Sequence, residues 1–309
     1  MRTLFGIGSS GQTIKDIQTT LTQAGFDTQG ADGHYGQDTA TAVRGFQGAR
    51  GLNATGTVDD GSWQSLMQRP IPTTQDRSLQ LTASFEGHGF SLAVGNFDGA
   101  FLTWGIIGFT LKHGEVSSIV QAVNAAFPNR VTDAFGASTN ELLTVMQASK
   151  DDQETWADAH TLPNGLLAQP WRDMFATFGS FPEVQQEQIK HVQSDYMNPA
   201  IKTAKGLGFK SELGLALCFD IHVQNGGIKK AAMDQIQQQS QGNPAEADLR
   251  KIVANAVADN ALKKFQDDVR SRKLAVATGQ GMVHGHSYLL ENWGLGEFDA
   301  DVLQQSLAA

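Results

Sequence analysis

The apolar residues of the chain follow mainly the spacing of amphipathic helices. Between residues 12 and 67, two groups of apolar residues have this spacing. The first group is Ile14, Ile17 and Leu21, and the second is Ala42, Val43 and Phe46. Turn-forming glycines separate the groups, at Gly25, Gly33, Gly36 and Gly56. The pattern predicts a helix, a turn, a second helix, another turn and a short third helix.

Helical spacing returns in the second part of the chain. It covers residues 115–127, 139–149, 183–196, 213–223 and 245–272. The glycine-rich segment 90–103 is the only place where we expect a small sheet or hairpin. The sequence therefore predicts a mainly α protein, in which a small three-helix domain precedes a larger α+β domain with a small β element.

A short polar segment separates the two parts. Residues 69–78, RPIPTTQDRS, contain two prolines and no periodic apolar face. Proline favours extended backbone at its own position and at the preceding residue, so we expect a semi-rigid linker. The predicted domains are residues 1–68 and 79–309, and the second is large enough to bury a full core.

Composition excludes some classes of function. The net charge is −9, from 23 basic and 32 acidic residues, and no basic run could hold phosphates, so we expect no nucleic-acid partner. The single cysteine, Cys218, excludes an intrachain disulfide. No apolar run is long enough to span a membrane, and the opening MRTLFGIGSSGQ is too short and polar for a signal peptide. We expect a monomer made in the cytoplasm.

Two carboxylates in the segment 82–115 are candidates for catalysis. Glu86 lies between Phe85 and Phe90, whereas Asp98 lies in a turn-forming segment with Asn96. Glycosidases use one carboxyl group that apolar surroundings keep protonated and another that polar surroundings keep ionised. Glu86 suits the acid and Asp98 the base, although such a pair is weak evidence by itself.

The residues after Asp98 form a more specific motif. They match the pattern D-G-x-x-x-T-x-G-I-I-G-F at Asp98, Gly99, Thr103, Gly105, Ile106, Ile107, Gly108 and Phe109. This segment resembles the catalytic segment of the glycoside hydrolase family 46 chitosanases, members of the lysozyme-like superfamily. The resemblance implies that Glu86 is the general acid, that Asp98 is the general base and that Thr103 helps to orient the water. It also implies inversion at the anomeric carbon, without a cofactor.

The same resemblance suggests further site residues. Glu115 falls where the family places a substrate-binding acid, or it is a solvated surface carboxylate. Trp104 is the candidate sugar platform, although tryptophans are more often core residues. Asp220 interrupts the apolar segment LGLALCFDIHV, so it lies at the cleft or is buried beside a cation.

Arg272 matches an arginine that joins such an aspartate in orienting the catalytic acid of the family. A second arginine is absent about fifteen residues further on, where the chain has His284, Gly285, His286 and Ser287. Either a histidine replaces it or the network is shorter. These histidines and His222 lack the spacing of a zinc site, so we expect no metal.

The N-terminal segment carries a second motif. Its members are Asp32, Gly33, Tyr35, Gly36, Thr39, Ala42, Val43, Phe46, Gln47, Gly51, Leu52, Gly56, Val58, Trp63 and Leu66. The segment resembles the three-helix peptidoglycan-binding domain of cell-wall hydrolases. Asp32, Tyr35 and Gln47 are candidates for contacts with the wall, or are solvated surface residues without that role.

Together the two resemblances suggest a peptidoglycan hydrolase of the endolysin type, a muramidase that cleaves the β-1,4 glycan backbone. Only Glu86, Asp98 and Glu115 are acidic between residues 80 and 123, which favours a neutral N-acetylated substrate over cationic chitosan. The alternatives are a chitosanase with a glycan-anchoring domain and an inactive wall-binding protein. By analogy with phage endolysins and secreted effectors, we expect action at the cell wall or periplasm after holin-type release or delivery.

Overall fold

The computed structural model describes residues 2–87 and 89–304 and divides the chain into two compact units. The composite unit combines the residues up to Phe85 with those from Tyr196 onward. The central unit spans Glu86–Asp195. Helices predominate in both, which confirms the predicted mainly α fold.

The N-terminal part of the composite unit contains the three predicted helices. They are α1 Gln12–Gln23, α2 Gln37–Ala49 and α3 Asp60–Met67. Their apolar faces meet in one core around Ile17, Phe46 and Trp63. Two strands that the sequence did not predict, β1 Thr3–Phe5 and β2 Val58–Asp59, pair in antiparallel fashion beside this core.

The next helix, α4 Thr74–Glu86, begins inside the predicted linker. Asp76 accepts hydrogen bonds from the Thr73 N–H at 2.8 Å and from the Thr73 hydroxyl at 2.7 Å. These two bonds cap the start of the helix. Pro70 and Pro72 precede the helix and do not interrupt it. Residues 74–78 are therefore helical and not extended, while the division into domains 1–68 and 79–309 stays a prediction.

The central unit contains a small antiparallel sheet that begins in the predicted glycine-rich segment 90–103 and extends beyond it. Its strands are β3 Ala93–Val94, β4 Thr103–Trp104 and β5 Phe109–Thr110, with β4 in the middle. The helices that follow are α5 Glu115–Ala126, α6 Pro128–Phe135, α7 Thr139–Val145, α8 Lys150–Ala159, α9 Gln169–Ser180 and α10 Pro182–Val192. Aromatic side chains form their core, since Phe135 lies against Phe175 and Phe178.

The second half of the composite unit is also helical. Its helices are α11 Asn198–Gly206, α12 Glu212–Asn225, α13 Lys230–Gln239, α14 Glu246–Asp259, α15 Gln266–Thr278 and α16 Asp301–Gln304. A hairpin of β6 Gln280–Val283 and β7 His286–Leu289 follows α15 and was not predicted. The prediction of one helix over 245–272 was wrong. Side-chain amides of Asn260 and Gln266 bond the carbonyls of Ala256 and Asp259, which ends α14 and lets α15 turn back.

The N-terminal segment is joined to the C-terminal part within the composite unit. The Gly6 N–H donates to the Asn292 carbonyl at 2.9 Å, and the Asn292 amide donates to the Ile7 carbonyl at 2.8 Å. The buried carboxylate of Glu212 accepts from both Arg2 and Arg77. An ion pair buried between two guanidinium groups holds the start of the chain and α4 onto α12.

Candidate active site

The loop between β3 and β4 presents Asp98 to solvent. Its Oδ1 accepts the Ala100 N–H at 3.1 Å, and the neighbouring Asn96 Oδ1 accepts the Phe101 N–H at 2.9 Å. The Lys112 ammonium donates to the Gly99 carbonyl at 2.9 Å from the other side of the loop. These bonds hold the loop in shape while one face of the carboxylate stays accessible to water and to a ligand.

Thr103 stands five residues after Asp98, on the central strand β4. It is half-buried and pairs with Val94 on one side and Thr110 on the other. Thr103 therefore has a fixed position in the middle strand of the sheet, which follows the loop that carries Asp98. Its action on a water molecule stays a prediction.

A residue that the sequence analysis missed, Gln188, holds the glycine turn of the motif by hydrogen bonds. Buried Gln188 on α10 accepts the Ile106 N–H at 3.0 Å and donates to the Phe90 carbonyl at 3.0 Å. Gly105 has φ +88°, and a Cβ on it would lie 2.6 Å from the Gln188 amide oxygen. Only glycine fits there, which explains its place in the motif. A glutamine 82 residues away carries no local signal.

Glu86 is the last residue of α4 and is half-buried. Gly87, with φ +66°, follows it in the left-handed conformation that commonly ends a helix. The preceding Phe85 is buried, and its ring centroid lies 4.8 Å from that of Tyr288 and 4.9 Å from the guanidinium carbon of Arg272. The end of the helix that carries Glu86 is thus anchored to α15 and β7.

Asp220, on α12, is fully buried and is bonded by two consecutive residues of α15. Arg272 donates to its carboxylate at 2.7 and 3.0 Å, and the Lys273 ammonium donates at 2.5 Å. Burial would raise the pKa of Asp220, but the two positive charges and their hydrogen bonds outweigh it and lower the pKa to about 2. The predicted pairing of Asp220 with Arg272 is therefore present in the structure.

This cluster is connected to α4. The Thr82 hydroxyl donates to Asp220 at 3.2 Å, and Thr82 lies four residues before Glu86, on the same helical face. Together with the contact between Arg272 and Phe85, this bond sets the position of the last turn of α4. Orientation of Glu86 by Arg272 remains a prediction.

Lys273 supplies a second positive charge on Asp220, and it also donates to the Gln224 side chain at 2.7 Å. The Nε2 of His284 bonds the Asp268 carboxylate at 2.7 Å. A histidine in place of the second arginine stays a prediction. The sequence shows two adjacent basic residues in SRKLAV but gives no sign that both are buried.

Two predicted substrate contacts were wrong. Trp104 has 0% exposure and stacks on Phe178 with ring centroids 5.5 Å apart. A sugar platform needs an exposed ring face, so Trp104 is a core residue. Asp220 is buried beside its two cations and has no surface with which to contact a substrate.

Glu115 lies in the first turn of α5 and is half-buried. Its Oε2 accepts from the Thr110 N–H at 2.9 Å and from the Thr110 hydroxyl at 3.1 Å. These bonds tie β5 to the start of α5, so Glu115 has a structural role. Its contact with substrate stays a prediction.

The three candidate wall contacts lie around the turns of the N-terminal helices. Gln47 is buried and bonds the Gly56 N–H and the Thr57 carbonyl, and buried Tyr35 donates to the Gly56 carbonyl at 2.9 Å. Burial raises the pKa of Tyr35. Both residues support the fold, so their prediction as wall contacts was wrong.

Asp32 is exposed, in agreement with a surface position. It accepts from the Gln18 amide at 2.9 Å and from the His34 N–H at 2.8 Å, and these bonds lower its pKa. It shapes the turn after α1, and a contact with the wall stays a prediction.

Among residues 2–87 and 89–304, no group of three or more His, Cys, Asp or Glu side chains is arranged to hold a metal ion. Within the same ranges, none of the helices has both the length and the apolar character needed to cross a membrane.

Comparison with protein families gives two matches. Residues 10–66 match the peptidoglycan binding domain family, and residues 88–278 match glycosyl hydrolase family 46. The second range contains Asp98, Thr103 and the Asp220 cluster and begins just after Glu86. A comparison with curated proteins gave no match.

Two solved chitosanase structures are similar to this chain. The one from Gynuella sunshinyii, in complex with chitotetraose, is 17% identical, with a TM-score of 0.50 over 72% of this chain and 99% of that chain. The native chitosanase from Bacillus subtilis MY002 is 18% identical, with a TM-score of 0.46 over 68% and 88%. The first likeness supports the lysozyme-like fold. The family 46 match covers more than half of the residues of this chain. The chain therefore belongs to glycosyl hydrolase family 46 and is a glycoside hydrolase with an N-terminal peptidoglycan binding domain.

Proposed function

We propose that this glycoside hydrolase is a muramidase that cleaves the β-1,4 glycan backbone of bacterial peptidoglycan. The observation that carries the proposal is the presence, in one chain, of a peptidoglycan binding domain and a family 46 domain. Action at the cell wall, as by an endolysin, is part of the same proposal.

The reaction we propose is a single displacement. Protonated Glu86 donates its proton to the glycosidic oxygen while the bond from that oxygen to the anomeric carbon breaks. Asp98 removes a proton from a water held with the help of Thr103, and the resulting hydroxide attacks the anomeric carbon from the opposite face. The configuration inverts, and no covalent intermediate forms. The exposure of Asp98 supports this role, since the base of an inverting enzyme must leave room for water.

Chitosan hydrolysis is the second candidate function. The Gynuella sunshinyii enzyme is described as a chitosanase and was solved with chitotetraose. Chitosan carries free ammonium groups, which acidic side chains would bind. Of the few acids near the motif, Glu115 already accepts two hydrogen bonds from Thr110. This shortage of acids supports the neutral N-acetylated substrate.

The test begins with purified Gram-negative sacculi and the full-length protein. Soluble products are reduced with borohydride and analysed by mass spectrometry. Reduced N-acetylmuramic acid ends are expected for a muramidase, whereas reduced N-acetylglucosamine ends would place the cut at the other glycosidic bond. No product from sacculi, together with cleavage of chitosan, would replace the proposal with the second candidate.

Site variants test the two carboxylates in the same assay. Glu86→Gln and Asp98→Asn are expected to lower kcat by at least a hundredfold. Glu154→Gln and Asp151→Asn, which change exposed carboxylates on α8, are the matched controls and should retain activity. Proton NMR of the first product should show the α anomer, and release of the β anomer would contradict the single displacement.

A further inference from the structure

One aromatic side chain next to the proposed base is exposed. Phe97 directly precedes Asp98 and is 64% exposed, whereas Trp104 in the same motif is buried. A single exposed apolar side chain is normal on a protein surface, whereas a group of them beside a reactive carboxylate is a candidate surface for a ligand.

The backbone that carries Phe97 is held firmly from two sides. The Asn96 N–H donates to the Thr161 hydroxyl at 2.8 Å, and the Asn96 amide donates to the Asp158 carboxylate at 2.6 Å. The Gly95 N–H donates to the Gly165 carbonyl at 3.1 Å. Phe97 is therefore presented in a fixed position and not on a free loop.

Gly165 lies directly against the base of the Phe97 side chain. A Cβ on Gly165 would lie only 2.8 Å from the Phe97 Cβ, and the φ of Gly165 is +80°. This close approach requires glycine. It also leaves the outer part of the ring away from the protein, which agrees with its exposure.

Two more exposed apolar residues flank Gly165. Leu162 is 42% exposed and Leu166 is 39% exposed. The Leu162 N–H donates to the Leu166 carbonyl at 2.8 Å, which closes a tight turn around Gly165. The turn thus brings a small apolar surface next to the ring of Phe97.

We propose that Phe97, Leu162 and Leu166 form a subsite for an N-acetylated sugar ring next to the bond that is cleaved. The acetamido methyl group would contact the ring of Phe97 and the two leucine side chains. Glucosamine lacks this methyl group and would therefore lack this apolar contact. This inference rests on the proposed function, because it takes Asp98 to mark the reacting bond.

The experiment compares Phe97→Ala, Phe97→Tyr and Phe265→Ala with the wild type. Phe265 is a matched control, since it is 48% exposed and lies on the composite unit. With N-acetylated sacculi, Phe97→Ala is expected to raise KM about tenfold with kcat within about threefold. Phe97→Tyr and Phe265→Ala should stay within about threefold of the wild type in both constants. Equal thermal unfolding of all variants will show that the fold is unchanged.

A binding measurement separates this inference from the proposed function. N-acetylglucosamine and glucosamine hexamers are titrated calorimetrically into Asp98→Asn, with and without Phe97→Ala. The second change should weaken binding of the N-acetylated hexamer about tenfold and leave that of the glucosamine hexamer within about threefold. Equal affinities for the N-acetylated hexamer would overturn the subsite, as would an equal loss for both hexamers. If Asp98→Asn remains fully active while Phe97→Ala still weakens binding, the base assignment fails, and the contact with the N-acetylated sugar stands without its place next to the cleaved bond.

Discussion

The buried ion cluster leads to a quantitative prediction for Lys273→Met. The ammonium of Lys273 is fully buried and donates to the Asp220 carboxylate at 2.5 Å, to the Asp220 carbonyl at 3.0 Å and to Gln224 at 2.7 Å. Removing one partner of a buried pair costs about 3–5 kcal/mol. Arg272 still neutralises Asp220 in the variant, so we expect a loss near the lower limit, about 3 kcal/mol.

Urea denaturation at pH 7, followed by circular dichroism and by tryptophan fluorescence, measures this loss. Lys251→Met is the matched control, because Lys251 pairs with Asp248 at 3.0 Å but on the surface, where ion pairs contribute little. The double variant with Asp220→Asn should show a coupling of about 1–3 kcal/mol. A loss below about 1 kcal/mol for Lys273→Met would refute the view that Asp220 needs both cations.

Three further predictions concern pH, the N-terminal helices and the cysteine. The pKa of Asp220 falls from 3.8 to about 2 on folding, so its contribution of about 2 kcal/mol is present above pH 4 and is lost as the pH falls towards 2. The change in urea midpoint between pH 5 and pH 2.5 should be larger for the wild type than for Asp220→Asn. An equal change in the two proteins would contradict a stabilising contribution of ionised Asp220. Gln47→Leu leaves the Gly56 N–H without its acceptor and should lower the unfolding free energy by about 2 kcal/mol. Binding of the folded variant to sacculi should equal that of the wild type. Loss of binding without loss of stability would show that Gln47 contacts the wall. Burial raises the pKa of Cys218, so a thiol reagent should label it only as urea unfolds the protein, and rapid labelling of the native protein would show that the site opens.

Local sequence features predicted much of the fold. Helical spacing located α1, α2 and α5, because neighbours on a helical face are only three or four residues apart. The glycine-rich segment 90–103 located β3 and the start of β4, whereas β5 lies beyond it. The start of α4 and the break between α14 and α15 were missed, since a few side-chain hydrogen bonds decide them.

Residue types and spacing, which are local, thus determined the helices, the turn glycines and the family 46 motif. Burial was decided only by the tertiary structure, because it depends on partners far away in the chain. The sequence suggested Trp104 and Gln47 as contacts, yet packing placed both in the interior and left Phe97 at the surface. Lys273 pairs with Asp220, which lies 53 residues away in the chain. No local sequence pattern predicts which cation pairs with a buried carboxylate.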